Sequence, residues 1–173
     1  MNNAKALTIN GEKITTLIQF FGLLGIAVIV PLFHQQTITG PIVNATLFVS
    51  TMLLGSQAGI LIGLIPSVIA LSVGLLPPPL APMVPFIMIG NTILVLIFDT
   101  FFRSGNYWLG VIAAGFLKFV FLFSASSVVI NLLLKKEIAQ QVSMMMSWPQ
   151  LITALAGGVL AFLFFKFYKA NFK

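Results

Sequence analysis

Apolar stretches of membrane-crossing length follow one another along this chain, parted by short breaks rich in polar residues, glycine or proline. Spans are predicted at about 14–33, 42–54, 58–73, 83–102, 107–132 and 149–165, where roughly 20 apolar residues carry a helix across a hydrocarbon core of about 30 Å. The second and third are short for a full crossing. The breaks read His34-Gln35-Gln36-Thr37, Gly55-Ser56-Gln57 and Arg103 to Asn106, and Gly40-Pro41 is expected to start the second span. From Gly74 to Pro82 the chain carries Pro77, Pro78, Pro79 and Pro82. These remove backbone donors and fix φ, so a stiff loop without regular helix is predicted there. Between the last two spans, Ile138, Val142, Met145 and Met146 recur at intervals of four and three, the repeat of an amphipathic helix lying on the membrane surface. The expected architecture is all-α: an integral membrane six-helix bundle, one transmembrane domain over residues 1–173, with a short interfacial helix between spans five and six.

Composition agrees with that pattern. Hydrophobic residues make up 59% of the chain and charged residues 7%, with a mean hydropathy of +1.10, far from the roughly 25% charged residues of soluble domains. Six spans leave no room for an ATPase, kinase or reductase domain, so energy has to come from partners or gradients. A net charge of +6 does not point to nucleic acid, because the cations stand in ones and twos at the ends of apolar runs. With the N-terminus inside, Lys5, Lys13, Arg103, Lys166, Lys169 and Lys173 are cytoplasmic and Lys135 and Lys136 are outside. The positive-inside rule thus predicts both termini in the cytoplasm. Cysteine is absent, which removes disulfides and thiolate chemistry. No small-x-small cleavage signature follows the first apolar run, which is read as retained.

No catalytic constellation is present. One His, Asp99, Glu12 and Glu137 cannot supply a metal triad, and the chain lacks a phosphate-cradling loop, His-Glu-x-x-His and Gly-x-Ser-x-Gly. Neither an enzyme nor a cofactor or metal site is expected. The chemistry lies instead in polar residues inside spans, which are costly in lipid and face a bundle interior or a cavity. By helical rise, Lys118 sits about 16 Å from the inner end of span five, Asn91 about 12 Å below the outer end of span four, and Asp99 about 12 Å deeper still. One reading is structural, a Lys118–Asp99 ion pair or a Lys118–Asn91 hydrogen bond. The other places Lys118 and Asn91 on the floor of an outward-facing pocket, with Asp99 holding the lysine from below. The rim would then comprise His34, Gln35, Gln36, Asn44, Asn131, Trp148 and Gln150, in keeping with pockets that combine an apolar lining with a few placed polar groups. Met144, Met145 and Met146 precede Trp148 and supply flexible thioethers that adapt to an irregular surface. Small residues four apart, Gly59/Gly63, Gly110/Ala114, Ala154/Gly158 and Gly157/Ala161, let helix backbones approach closely, either within the bundle or toward a partner.

Several segments carry a family likeness: Thr39-Gly-Pro-Ile-Val-Asn44-Ala, Gly55-Ser-Gln-Ala-Gly59, Leu76-Pro-Pro-Pro-Leu-Ala-Pro82, Pro85-Phe-Ile-Met-Ile-Gly-Asn91 and Trp148-Pro-Gln150-Leu. With the span count and length, the chain resembles the substrate-binding S component of an energy-coupling factor (ECF) transporter. The resemblance implies a transmembrane coupling subunit and two cytoplasmic ATPases as partners, and a chain in the bilayer of a prokaryotic plasma membrane that captures a vitamin-type molecule and topples to release it inside. It also implies a docking face on the first span, where such proteins typically carry Ala-x-x-x-Ala. Here the region reads Gly22-Leu-Leu-Gly25-Ile-Ala27, so Gly22, Gly25 and Ala27 are the expected contact residues. The His-rich N-terminal ligand set of the metal-specific branch is missing, which favours a small organic ligand. An autonomous secondary carrier or channel, or a non-transport assembly subunit, stands as the alternative; a carrier would show inverted repeats with paired broken helices.

Overall fold

A computed structural model describes residues 11–76, 78–133 and 136–172, all in helices and short connections, with no strand among them. Eight α-helices succeed one another: α1 (Gly11–Ile29), α2 (Gln36–Leu54), α3 (Ser56–Gly63), α4 (Ile65–Ser72), α5 (Val84–Arg103), α6 (Tyr107–Leu133), α7 (Lys136–Met145) and α8 (Trp148–Phe172). Single 3₁₀ turns follow α1 at Val30–Phe33 and precede α5 at Pro78–Met83. Five stretches are long and apolar enough to cross a membrane: Gly11–Phe33, Gln36–Leu54, Ala81–Arg103, Tyr107–Val129 and Val142–Asn171.

The expected third span differs. Instead of one helix over 58–73 the chain forms two helices of 8 residues each, α3 and α4. Pro66 near the start of α4 has no N–H to give the carbonyl four residues back, and its ring crowds that carbonyl. The helix therefore stops and restarts at Leu64, and Ser56–Ser72 stays short of the roughly 20 residues a crossing takes. Among the described residues five stretches are long enough to cross singly, while the broken α3–α4 pair leads from the end of α2, where Gly59 meets Thr51, back to the end of the bundle where Ser67 and Ala70 lie near Pro31 and Gln36. Two other boundaries move. Pro41 does not open α2 but lies inside it, early enough that the lost bond falls in the first turns, and α8 continues past residue 165 to Phe172. The proline-rich segment, whose Pro77 lies outside the described residues, includes a short 3₁₀ helix and no α-helix.

α2 packs most closely on α8, and α5 on α6. Glycine makes the first seam. A Cβ on Gly157 would lie 2.7 Å from Asn44 Cβ, 2.8 Å from the Pro41 carbonyl oxygen and 2.9 Å from Ala45 N, so the α2 backbone rests where a side chain would otherwise stand. Gly158 meets Val111 of α6 in the same way, and Gly59 meets Thr51. The small-residue pairs thus include close crossings inside the chain.

Two apolar clusters result. The larger gathers around Phe98, whose ring lies 4.6 Å from Phe48, 5.5 Å from Phe102 and 5.5 Å from Tyr107. Tyr107 also donates a hydrogen bond to the Gly158 carbonyl at 2.7 Å. The second lies at the other end and joins Leu76, Met83, Leu122, Val129, Val142 and Met146. Through Val142 and Met146 the apolar face of the α7 region packs on protein rather than lying open; the Ile138 side chain is outside the described set.

Two outcomes follow for stability in detergent. Gly157→Ala lowers the melting temperature by an amount equivalent to about 1–3 kcal/mol, the cost of overpacking against fixed backbone. Gly22→Ala, inside α1 and with nothing within 4 Å of its new Cβ, raises it slightly, because Ala favours a helix over Gly by about 0.5–1 kcal/mol; equal melting of the two would contradict the seam. Phe98→Ala, at the centre of the larger cluster, costs about 3–5 kcal/mol in chemical unfolding, and a loss under 1 kcal/mol would show that the ring is not a packing anchor.

Candidate substrate-binding site

Lys118, on α6, is 3% exposed and lies within the bundle. Its ammonium donates to Asn44 Oδ1 of α2 at 2.7 Å and to Asn91 Oδ1 of α5 at 2.8 Å. Both amides are themselves oriented. Asn91 Nδ2 donates to the Gly63 carbonyl at 2.7 Å, at the break between α3 and α4. Asn44 Nδ2 donates to Thr153 Oγ1 on α8 at 3.4 Å, and Thr153 Oγ1 donates to the Gln150 carbonyl at 3.2 Å. With each NH₂ spent on an acceptor, each amide oxygen must face the lysine. The sequence explains why these groups meet: Asn44 sits on the crowded α2–α8 seam, Asn91 one residue beyond Gly90, where a Cβ would press on Leu122 of α6.

A cavity of about 80 Å³ opens beside this lysine. Lys118, Asn44 and Asn91 contribute its polar atoms, with Gln36, Thr39, Ser67, Gln150 and Thr153; Val43, Ala70, Leu75, Leu76, Ile87 and Met146 contribute apolar wall. Ser67 is 5% exposed, and its hydroxyl is the buried side-chain polar atom without a hydrogen-bond partner among the described residues. The cavity lies toward the end of the bundle where α1 finishes and α2 and α8 begin. Lys13, Arg103, Lys166 and Lys169 stand at the other end, where Phe102 packs on Phe165 and Gln19 bonds Tyr168.

The predicted site residues divide accordingly. Asn91, Lys118, Asn44, Gln36 and Gln150 come together around the cavity. His34 and Gln35 are exposed, with His34 in the left-handed region at φ 54° closing the 3₁₀ turn. Trp148 is 65% exposed and stacks on Phe119 at 5.5 Å rather than lining the cavity. The Asn131 side chain is outside the described residues. Of the three methionines Met146 lines the cavity, whereas Met144 is exposed.

The Asp99–Lys118 ion pair is not formed. Asp99 instead holds Arg103 at 2.9 Å, one turn on along α5. A guanidinium on the same helix face reaches the carboxylate without desolvation, whereas Lys118 is engaged by two amides nearer the other end of the bundle. Ala27 also departs from expectation: it is fully buried in the larger cluster, while Gly22 is exposed and Gly25 has open space about it. Gly22 borders a lateral apolar groove of about 420 Å³ between α1, α2 and α8.

Thr39, Ser67 and Thr153 were missed because uncharged hydroxyls inside apolar helices are common and bond their own backbone. One signal was available: Thr39, Gly40, Val43 and Asn44 fall at three- and four-residue spacing on a single face of α2, as do Gln150 and Thr153 on α8.

The arrangement suits recognition rather than covalent chemistry. It holds one deep cation, oriented amides and small hydroxyls, and among the described residues no three His, Cys, Asp or Glu side chains gather to hold a metal.

A family model for the substrate-specific component of ECF transporters matches residues 22–167. Comparisons with curated proteins and with solved structures find no match. The family model runs from the second half of α1 through most of α8 and takes in every residue around Lys118, in a chain of several apolar membrane-length helices. This multi-pass membrane chain belongs to the ECF transporter substrate-specific component family.

Proposed function

We propose that this protein is the capture subunit of an ATP-driven importer, taking a small organic molecule of vitamin type into the cavity beside Lys118. The observation that carries this reading is the lysine itself. A cation buried among helices is expensive, and here it is held by two amides that are each fixed by further bonds, next to a void with apolar walls. A lysine serving only to tie helices together has no use for the void. In this reading the cavity end faces outward and both termini lie in the cytoplasm of a prokaryotic cell, supported by the four cations at the opposite end of the bundle.

Family membership supports an ECF module as the partner, here a transmembrane coupling subunit and two cytoplasmic ATPases. The chain contributes binding and specificity, and the ATPases contribute energy. The proposed contact with the coupling subunit runs along the Gly22 and Gly25 side of α1, where open space about both glycines lets another helix approach closely. The cavity has a volume of about 80 Å³, below the several hundred Å³ that a whole drug-sized ligand fills.

Mass spectrometry of small molecules carried through purification from cells tests the reading. The wild-type chain and Asp99→Asn retain the same organic molecule, and Lys118→Met loses it. Lys118→Met also melts lower, because two buried amide oxygens lose their donor at about 1–3 kcal/mol each. Small-molecule content that is the same in Lys118→Met as in wild type, or absent from every variant including wild type, overturns the proposal.

A further inference from the structure

The polar balance of the cavity narrows the class of ligand, on the premise that the cavity beside Lys118 is the capture site. An ammonium has three N–H groups. Two are taken by Asn44 and Asn91, and both acceptors are neutral dipoles. Among the described residues no carboxylate reaches the lysine: Asp99 is committed to Arg103, and Glu12 is exposed on the first turn of α1. In its ammonium form the lysine thus keeps a third N–H for whatever enters. A second group points the same way from another helix. The Ser67 hydroxyl on α4 lines the cavity, is almost fully buried and has no partner among the described residues, although buried polar groups are nearly always satisfied.

Charge counting then discriminates. A neutral guest leaves the ammonium form without a counter-ion, whereas an anionic one stabilises it. A phosphate brings close to two negative charges against one lysine, with no arginine in the lining. A single carboxylate cancels the charge, and each partner favours the ionised form of the other. Size agrees. One water needs about 10–15 Å³ of such space, so a cavity of about 80 Å³ has room for several, enough for the carboxylate end of a larger molecule.

We infer that the cavity is a monocarboxylate site, in which Lys118 Nζ donates to a carboxylate oxygen of the ligand and the Ser67 hydroxyl donates a hydrogen bond to the same ligand.

Acetate and propionate are fragment probes of this site, with acetamide and propionamide as uncharged isosteres. The measurement is the melting temperature of the full chain in detergent, at constant ionic strength maintained with chloride. Both acids raise it saturably and the amides do not; the response disappears in Lys118→Met. Ser67→Ala melts no lower than wild type without probe, since it removes an unsatisfied hydroxyl, and binds the acids about five- to tenfold more weakly, as for one lost hydrogen bond. Equal stabilisation by amides, an undiminished response in Lys118→Met, unchanged affinity in Ser67→Ala, or no response to either acid overturns the inference. The mass-spectrometric experiment judges capture separately: a neutral molecule retained by wild type and lost from Lys118→Met leaves the capture reading standing and removes only the carboxylate.

Discussion

A lysine amine buried inside an apolar bundle is the constraint around which the rest of this protein is arranged. Lys118 is almost fully buried, and the fold provides it with two amide oxygens, each amide fixed in turn by a backbone carbonyl or a threonine. Five segments are tied together this way: α2, α5, α6, α8 and the turn where α3 gives way to α4. Removing any one member leaves another polar group buried without a partner, a cost comparable to the whole net value of an ordinary hydrogen bond. The network therefore specifies which helices meet, as well as what they present to a guest.

Packing makes that geometry attainable. Gly157 lets α8 lie against the α2 backbone at the level of Asn44, and Gly63 accepts both the Leu47 side chain and Asn91 at contact distance. Below this level the Phe48, Phe98, Phe102 and Tyr107 rings fill the bundle. Above it lie smaller and more adaptable side chains, with Met146, Leu76 and Ala70 around the cavity. The two ends differ in what fills them, and the cavity lies where the filling is lighter.

Much of this was legible in the chain. Length and apolarity identify the long helices, because the membrane imposes a fixed thickness and a strict demand for internal hydrogen bonding. Asn91 and Lys118 stood out because polarity inside a span always needs a reason, and Asn44, Gln36 and Gln150 were near enough to helix ends to be noticed. Asp99 was assigned to the wrong partner because depth along two helices says nothing about rotation, and Arg103 one turn away satisfies it locally. The split of the third span was readable in Pro66, but its use was not: the Gly63 carbonyl becomes an acceptor for a side chain on a distant helix only after the chain is folded. Trp148 and His34 were read by residue type, and their side chains turn to the exterior.

The glycine seam between α2 and α8 carries a consequence for genetics. Since the backbone atoms of Pro41 and Ala45 flank Asn44 within a hypothetical Cβ's reach of Gly157, a larger residue there displaces the amide that steadies the lysine without touching any solute. Uptake screens would score such a position beside true recognition residues. Only assays that separate folded yield from affinity would sort one kind of defect from the other.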